Sequence, residues 1–98
     1  MVKHMIIWKL KDEIADKEAV KAEIKAALEG LIGRIEGLTE MKILTEGFES
    51  SAGDLMMDST LTSRAALEAY QAHPAHQEVA NRLVRPAVSS RLSFDYEL

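Results

Sequence analysis

The sequence predicts an α+β protein with a ferredoxin-like βαββαβ fold, built on a four-stranded antiparallel sheet whose helices cover one face. Four short segments are rich in β-forming residues, and two longer segments place apolar residues at helical spacing. Pro74 divides the second helical segment in two. We expect residues 1–98 to form a single domain, as is usual for a chain of 98 residues.

The first two elements follow from β-forming residues and from helical spacing. The segment "VKHMIIWKL" (residues 2–10) predicts a strand that is bounded by charge. Residues 16–35 place apolar side chains on one helical stripe. Asp16 is the predicted N-cap of this helix, because its carboxylate can accept from an unpaired backbone N–H. Gly37 is the predicted C-terminal stop.

Two further segments predict a β-hairpin. Residues 38–48 and 54–61 read as strands, and the turn-rich "ESSAG" connects them. In the second of these strands Leu55, Met57, Ser59 and Leu61 alternate with Met56, Asp58 and Thr60.

The last part of the chain predicts a broken helix followed by a strand. Ser63 is the predicted N-cap of its first half, and that half should end by residue 73 because the position before a proline is disfavoured in the α region. Pro74 suits the first position of the next helix, predicted over residues 74–88. The segment "RLSFDYEL" (91–98) alternates apolar and polar residues and predicts the fourth strand.

Composition limits the partners and cofactors. The net charge is −4 and the sequence pI is about 5.3, which does not favour binding to nucleic acid or to an anionic membrane. Cysteine is absent, so disulfides, thiol nucleophiles and thiolate metal sites are excluded. Neither GxGxxG nor GxxxxGK[ST] occurs, and we expect no cofactor. A cytoplasmic location is the expectation.

The sheet face away from the helices should need a cover. Asp58 would lie on this face, where a carboxylate needs a cation, and Lys3 or Lys9 on the first strand could supply it. We expect a homodimer because the same face carries Met5, Ile7 and Met56.

Three segments in this order resemble the stress-responsive A/B barrel domain family, also called Dabb. They are "VKHMIIWKLKDE" at the start, "ALEAYQAHPAHQEV" in the broken helix and "RLSFDYEL" at the end. The resemblance covers nearly the whole chain, and its most specific part is the "Y-x-x-H-P-x-H" spacing. It implies ferredoxin-like protomers whose sheets pair face to face, so that two protomers form a dimeric α+β barrel.

The resemblance also implies functional residues. In the plant polyketide cyclases of this family catalysis is assigned to a tyrosine and a histidine, which align with Tyr70 and His76. His4 aligns with a pocket histidine, and Asp95 with an aspartate that orients the catalytic imidazole. Each has a structural alternative: Tyr70 as a core residue, His76 as part of the helix junction, and His4 as a satisfied core histidine.

A ligand pocket is expected between the sheet and the helices. It would be lined by His4, Ile6 and Trp8, which share one face of the first strand, and by His73. His73 precedes the proline and could instead cap the second half of the helix. The HPAH segment alone predicts no metal site, because zinc usually takes at least three protein ligands.

Three functions remain open on the sequence. The first is a homodimer that binds a small hydrophobic or aromatic molecule in this pocket. The second is a cofactor-free cyclase or isomerase acting on a polyketide-like or carbonyl substrate, with His76 as base, Tyr70 polarising a carbonyl and Asp95 holding the imidazole. The third is a structural, stress-associated protein without pocket chemistry.

Overall fold

The computed structural model spans residues 1–98 and shows the predicted order of strands and helices. The ferredoxin-like fold is confirmed, with four antiparallel strands and three α-helices. The elements are β1 (Val2–Leu10), α1 (Lys17–Glu29), β2 (Leu38–Leu44), β3 (Leu55–Leu61), α2 (Arg64–Ala72), α3 (Pro74–Val79), a π-helical turn (Ala80–Val84) and β4 (Val88–Glu97).

The sheet has the strand order β2-β3-β1-β4, with β1 paired to both β3 and β4. The register places His4 of β1 between Ser59 of β3 and Asp95 of β4. Because side chains alternate along a strand, these three residues lie on one face of the sheet. This is the face that the helices cover, since His4 and Ser59 are buried.

The first helix begins as predicted and ends earlier than predicted. The Asp16 carboxylate accepts from the backbone N–H of Ala19 at 3.0 Å. The helix stops at Glu29, not at residue 35, and turns follow in which Gly33 and Gly37 have φ angles of 83° and 88°. Positive φ is readily adopted by glycine alone, so these two residues let the chain turn.

The broken helix follows the predicted division at Pro74. The Ser63 hydroxyl accepts from Ala66 N–H at 3.1 Å, and the prediction of this N-cap is confirmed. Helix α3 is much shorter than the predicted 74–88, because the chain widens into the π turn, where Arg85 N–H donates to the Ala80 carbonyl at 2.9 Å. Consequently β4 begins at Val88, three residues before the predicted start.

The hydrophobic core lies between the helices and the sheet. It takes Ile6, Trp8 and Leu10 from β1 and Ile24 and Leu28 from α1, together with the inward residues of the other elements. None of the helices is long and apolar enough to cross a membrane.

The opposite face of the sheet carries large apolar side chains that the protomer leaves uncovered. Leu92 and Phe94 of β4 are each 70% exposed, and Ile7 is 41% exposed. The predicted cation for Asp58 is confirmed as Lys3, whose Nζ lies 2.6 Å from Asp58 Oδ1.

Candidate functional site

A cavity of about 390 Å³ lies between the inner face of the sheet and the broken helix. Strand β1 supplies its floor, and α2, α3 and the π turn supply its roof. Its wall includes the pocket residues predicted from β1, namely His4, Ile6 and Trp8.

Tyr70 and His76 meet inside this cavity. Tyr70 comes from α2 and His76 from α3, so the break at Pro74 turns the two side chains toward each other. Their ring centroids are 4.4 Å apart with the planes tilted by 40°. The His4 ring lies edge-on to Tyr70 at 6.2 Å. Residues from three different elements thus form one aromatic cluster in the cavity wall.

Three polar atoms of the wall are buried without any hydrogen-bond partner in the protein. They are the indole Nε1 of Trp8, the hydroxyl of Tyr70 and Nδ1 of His76. An unpaired buried polar group costs about 1–3 kcal/mol. A cavity that places several such groups together therefore offers hydrogen bonds to a molecule that enters it.

Burial also sets the protonation of this cluster. Burial, followed by neighbouring positively charged side chains, lowers the pKa of His76 from 6.5 to about 4. Burial raises the pKa of Tyr70 above its usual value of 10.0. At neutral pH the imidazole of His76 is therefore uncharged and the hydroxyl of Tyr70 keeps its proton.

Asp95 contacts a different histidine from the one expected. Its Oδ1 lies 2.5 Å from Nδ1 of His4, which is buried. A carboxylate accepts hydrogen bonds, so His4 carries its proton on Nδ1 and turns Nε2 away from Asp95. The expectation that Asp95 holds the imidazole of His76 is wrong for this structure, because the β1–β4 register sets Asp95 directly opposite His4.

His73 lies outside the cavity wall, so its predicted place in the pocket is wrong. Its Nδ1 accepts from the N–H of Ala75 at 3.0 Å, which makes it the N-cap of α3. The backbone of His73 is extended, as expected for the residue before Pro74. The capping alternative is confirmed.

Two arginines of the wall were not predicted as site residues. Arg85 follows the π turn, and Arg91 lies on β4 opposite Trp8. Apolar and polar residues alternate along the last strand, and this alternation already places Arg91 on the face opposite to Phe94. It was the sequence signal that could have predicted the position of Arg91. The position of Arg85 depends on the π turn, for which the sequence holds no comparable signal.

A larger groove of about 660 Å³ runs beneath the loop between β2 and β3. Two of the three charged side chains along it, Lys25 and Asp54, already have partners in the protein. Lys25 Nζ pairs with Glu29 at 2.8 Å, and Asp54 accepts from Leu10 N–H at 2.8 Å. No group of three or more His, Asp or Glu side chains is placed to share a metal ion. The cavity beneath the broken helix is therefore the better candidate site.

Solved structures of the same fold come from several organisms. A dimeric protein of unknown function from Bacteroides fragilis has a TM-score of 0.89 at 23% identity, covering 99% of this chain and 95% of that one. A dimeric ferredoxin-like protein of unknown function from Jannaschia sp. CCS1 has a TM-score of 0.77 at 29% identity, covering 99% and 98%. The hydroxynitrile lyase of Passiflora edulis has a TM-score of 0.77 at 20% identity, covering 99% and 92%.

None of the curated proteins compared with this chain matches it. The sequence does match the family model described as the stress responsive A/B barrel domain, Dabb, and the match runs over residues 2–98. It includes both histidines of the HPAH segment, the β1 residues of the cavity floor and Asp95. By this match, the chain belongs to the Dabb family.

Proposed function

We propose that this protein binds a small molecule with an apolar body and a carbonyl or hydroxyl group in the cavity beneath the broken helix. The observation that carries the proposal is the set of unpartnered buried atoms on Trp8, Tyr70 and His76. The Tyr70 hydroxyl and the Trp8 indole N–H can donate to an oxygen, and the neutral His76 ring can accept from a hydroxyl. The apolar residues of the wall, among them Ile6 and Met57, suit an aromatic or aliphatic body.

The proposed functional unit is a homodimer that pairs through the outer face of the sheet. That face exposes Leu92, Phe94 and Ile7, and the cavity opens on the opposite side of the sheet. The relatives from Bacteroides fragilis and Jannaschia are described as dimeric, which supports the same arrangement here.

A titration with benzylacetone, a ketone with a phenyl body, tests the binding proposal. Trp8 is the only tryptophan, so its indole N–H gives a single NMR signal from the cavity. We expect benzylacetone to move this signal and the substitution Tyr70→Phe to weaken binding about two- to tenfold, the value of one hydrogen bond.

Tyr96→Phe is the matched control, because it removes the same hydroxyl from the outer face of β4. It should leave the affinity unchanged. An unaltered Trp8 signal at saturating ketone would contradict the proposal, and so would equal effects of the two tyrosine substitutions.

Acid–base catalysis on a carbonyl substrate is a second candidate function. It is favoured by the contact between the rings of Tyr70 and His76. The protonated Tyr70 could donate to a carbonyl oxygen, and the neutral His76 could accept a proton from the carbon next to that carbonyl. A pKa near 4 makes His76 a weak base, so the first proposal stands ahead of this one. The Passiflora edulis relative is described as a hydroxynitrile lyase, so an enzyme is known on this fold.

The test for catalysis is exchange of the α-hydrogens of benzylacetone with deuterated water, followed by NMR. Catalysis predicts faster exchange with the protein than with buffer, and loss of the acceleration in His76→Gln. Exchange at the buffer rate, despite binding, would leave the protein as a binding protein only.

A further inference from the structure

The charges on the cavity wall differ from those of the whole chain. The chain has 16 Asp and Glu residues against 12 Lys and Arg, and its net charge is −4. The cavity wall nevertheless contains two arginines, Arg85 and Arg91, and no carboxylate. The nearby Asp95 is bonded to the His4 ring and is outside the wall. A wall with this charge attracts anions.

Of the two arginines in the cavity wall, Arg91 is the one whose guanidinium is free. It makes no hydrogen bond and no ion pair within the protein, whereas Arg82 pairs with Glu78 and Arg85 donates to the Asn81 side chain. Arginine presents five donors in a planar fork, which matches the two oxygens of a carboxylate. The unpaired guanidinium of Arg91 at the cavity is thus a suitable binding group for a carboxylate.

A second, independent donor stands beside it. Trp8 of β1 is the cross-strand partner of Arg91 of β4, and both side chains lie on the inner face of the sheet. Side chains opposite each other in this way have Cβ atoms about 5 Å apart. The Trp8 Nε1 is buried without a partner, and an indole N–H can only donate. Neighbouring strands therefore present two donors and no acceptor at one end of the cavity.

We propose that the ligand is a small carboxylate with an aromatic or aliphatic body, and that Arg91 and Trp8 bind its carboxylate group. The statement rests on the proposed function and names the chemical class of its ligand. Trp8 and His4 are four residues apart on β1, which is roughly 13 Å along a strand. A ligand held at the Trp8 end can thus extend its body toward the cluster of His4, Tyr70 and His76.

Three probes that share a phenylethyl body separate charge from shape. Hydrocinnamate carries a carboxylate, hydrocinnamide carries the neutral amide and benzylacetone carries the ketone. We expect hydrocinnamate to move the Trp8 indole signal with an affinity at least about tenfold higher than hydrocinnamide, as for a charge-assisted hydrogen bond. Arg91→Gln should weaken hydrocinnamate binding about tenfold or more and hydrocinnamide binding by a smaller factor, because the amide oxygen carries no charge, while Arg91→Lys should restore part of the loss.

Arg34→Gln is the control, because it removes the same charge from an exposed turn that lies outside the cavity. It should leave the affinity for hydrocinnamate unchanged. Equal affinities for the three probes, or equal effects of Arg91→Gln and Arg34→Gln, would overturn the carboxylate proposal and leave the binding function standing. If none of the three probes moves the Trp8 signal, both the carboxylate proposal and the binding function fail.

Discussion

Two histidines of one cavity are held by the fold in different ways. His4 has a carboxylate on Nδ1, whereas Nδ1 of His76 is buried without a partner. Burial without an acceptor disfavours the charged form of an imidazole. His76 is therefore the ring that can exchange hydrogen bonds with a ligand, and His4 is a fixed part of the wall.

The protonation of His76 should reduce stability in mild acid. Its pKa is about 4 in the folded chain against 6.5 for an unperturbed histidine, so the unfolded state takes up the proton first as the pH falls. The stabilising contribution of the neutral ring is fully present above about pH 6.5 and is lost progressively toward about pH 4. Urea denaturation at several pH values measures this loss.

His76→Gln is the comparison for that series, because glutamine does not titrate. Its stability should fall less than that of the wild type across the same range. An NMR titration of the wild type should also give a midpoint for His76 near 4. A midpoint at or above 6.5 would contradict the burial argument.

Removal of the Asp95 carboxylate should destabilise the protein through His4. Asp95→Ala leaves the Nδ1–H of His4, which is only 2% exposed, without an acceptor, and we expect a cost of about 1–3 kcal/mol. Glu97→Ala removes an exposed carboxylate from the same face of β4 and should cost less than about 0.5 kcal/mol. Equal losses in urea denaturation would show that the contact between Asp95 and His4 has no energetic role.

At the scale of elements, local signals predicted where helices begin better than where they end. Asp16 and Ser63 cap their helices as predicted, because capping depends on residues three positions apart. The apolar stripe of α1 continues through Leu31 and Ile35, which are buried although they belong to turns. Burial thus extended the helical pattern beyond the helix, and the predicted stop at Gly37 lies well past the real end at Glu29.

The contacts that define the site depend on tertiary structure. The sequence placed Tyr70 and His76 on either side of Pro74, and the structure brings them together. The pairing of Asp95 with His4 follows from a strand register set over 91 residues of separation, which no local pattern specifies. The π turn that brings Arg85 to the cavity likewise has no signature in the residues of the turn.

His73 should stabilise α3 as its N-cap. His73→Ala removes the acceptor for Ala75 N–H and should cost about 1 kcal/mol in thermal or urea unfolding. His73→Ser keeps an acceptor at the same position and should recover most of that loss. If the alanine and serine variants are equally destabilised, the histidine contributes by something other than capping.

At the scale of the whole molecule, the two faces of the sheet have different roles. The inner face, with the helices, encloses the cavity, and the outer face exposes Leu92 and Phe94 at 70% each. A contiguous exposed apolar surface of this kind marks an interaction site. Dimerisation through it would leave the cavity side of each protomer uncovered by the partner.

A charge on the outer face should separate the proposed dimer. Phe94→Asp places a carboxylate at the paired surface, where its burial without a cation is costly, and we expect sedimentation as a monomer at low micromolar concentration. Ile32→Asp makes the same kind of change at an exposed apolar residue in the turn after α1 and should leave the dimer intact. A wild-type protein that sediments as a folded monomer would refute the dimer outright.

In the proposed dimer, the uncovered β4 surface would also link the stability of each chain to the abundance of the protein. In a dimer that unfolds to two free chains, mass action raises the apparent free energy of unfolding by about 1.4 kcal/mol for each tenfold rise in concentration. The protein would then unfold more readily at low concentration than at high concentration, with no change in sequence. A cell that raises synthesis of this chain would thereby raise its melting temperature as well as its amount.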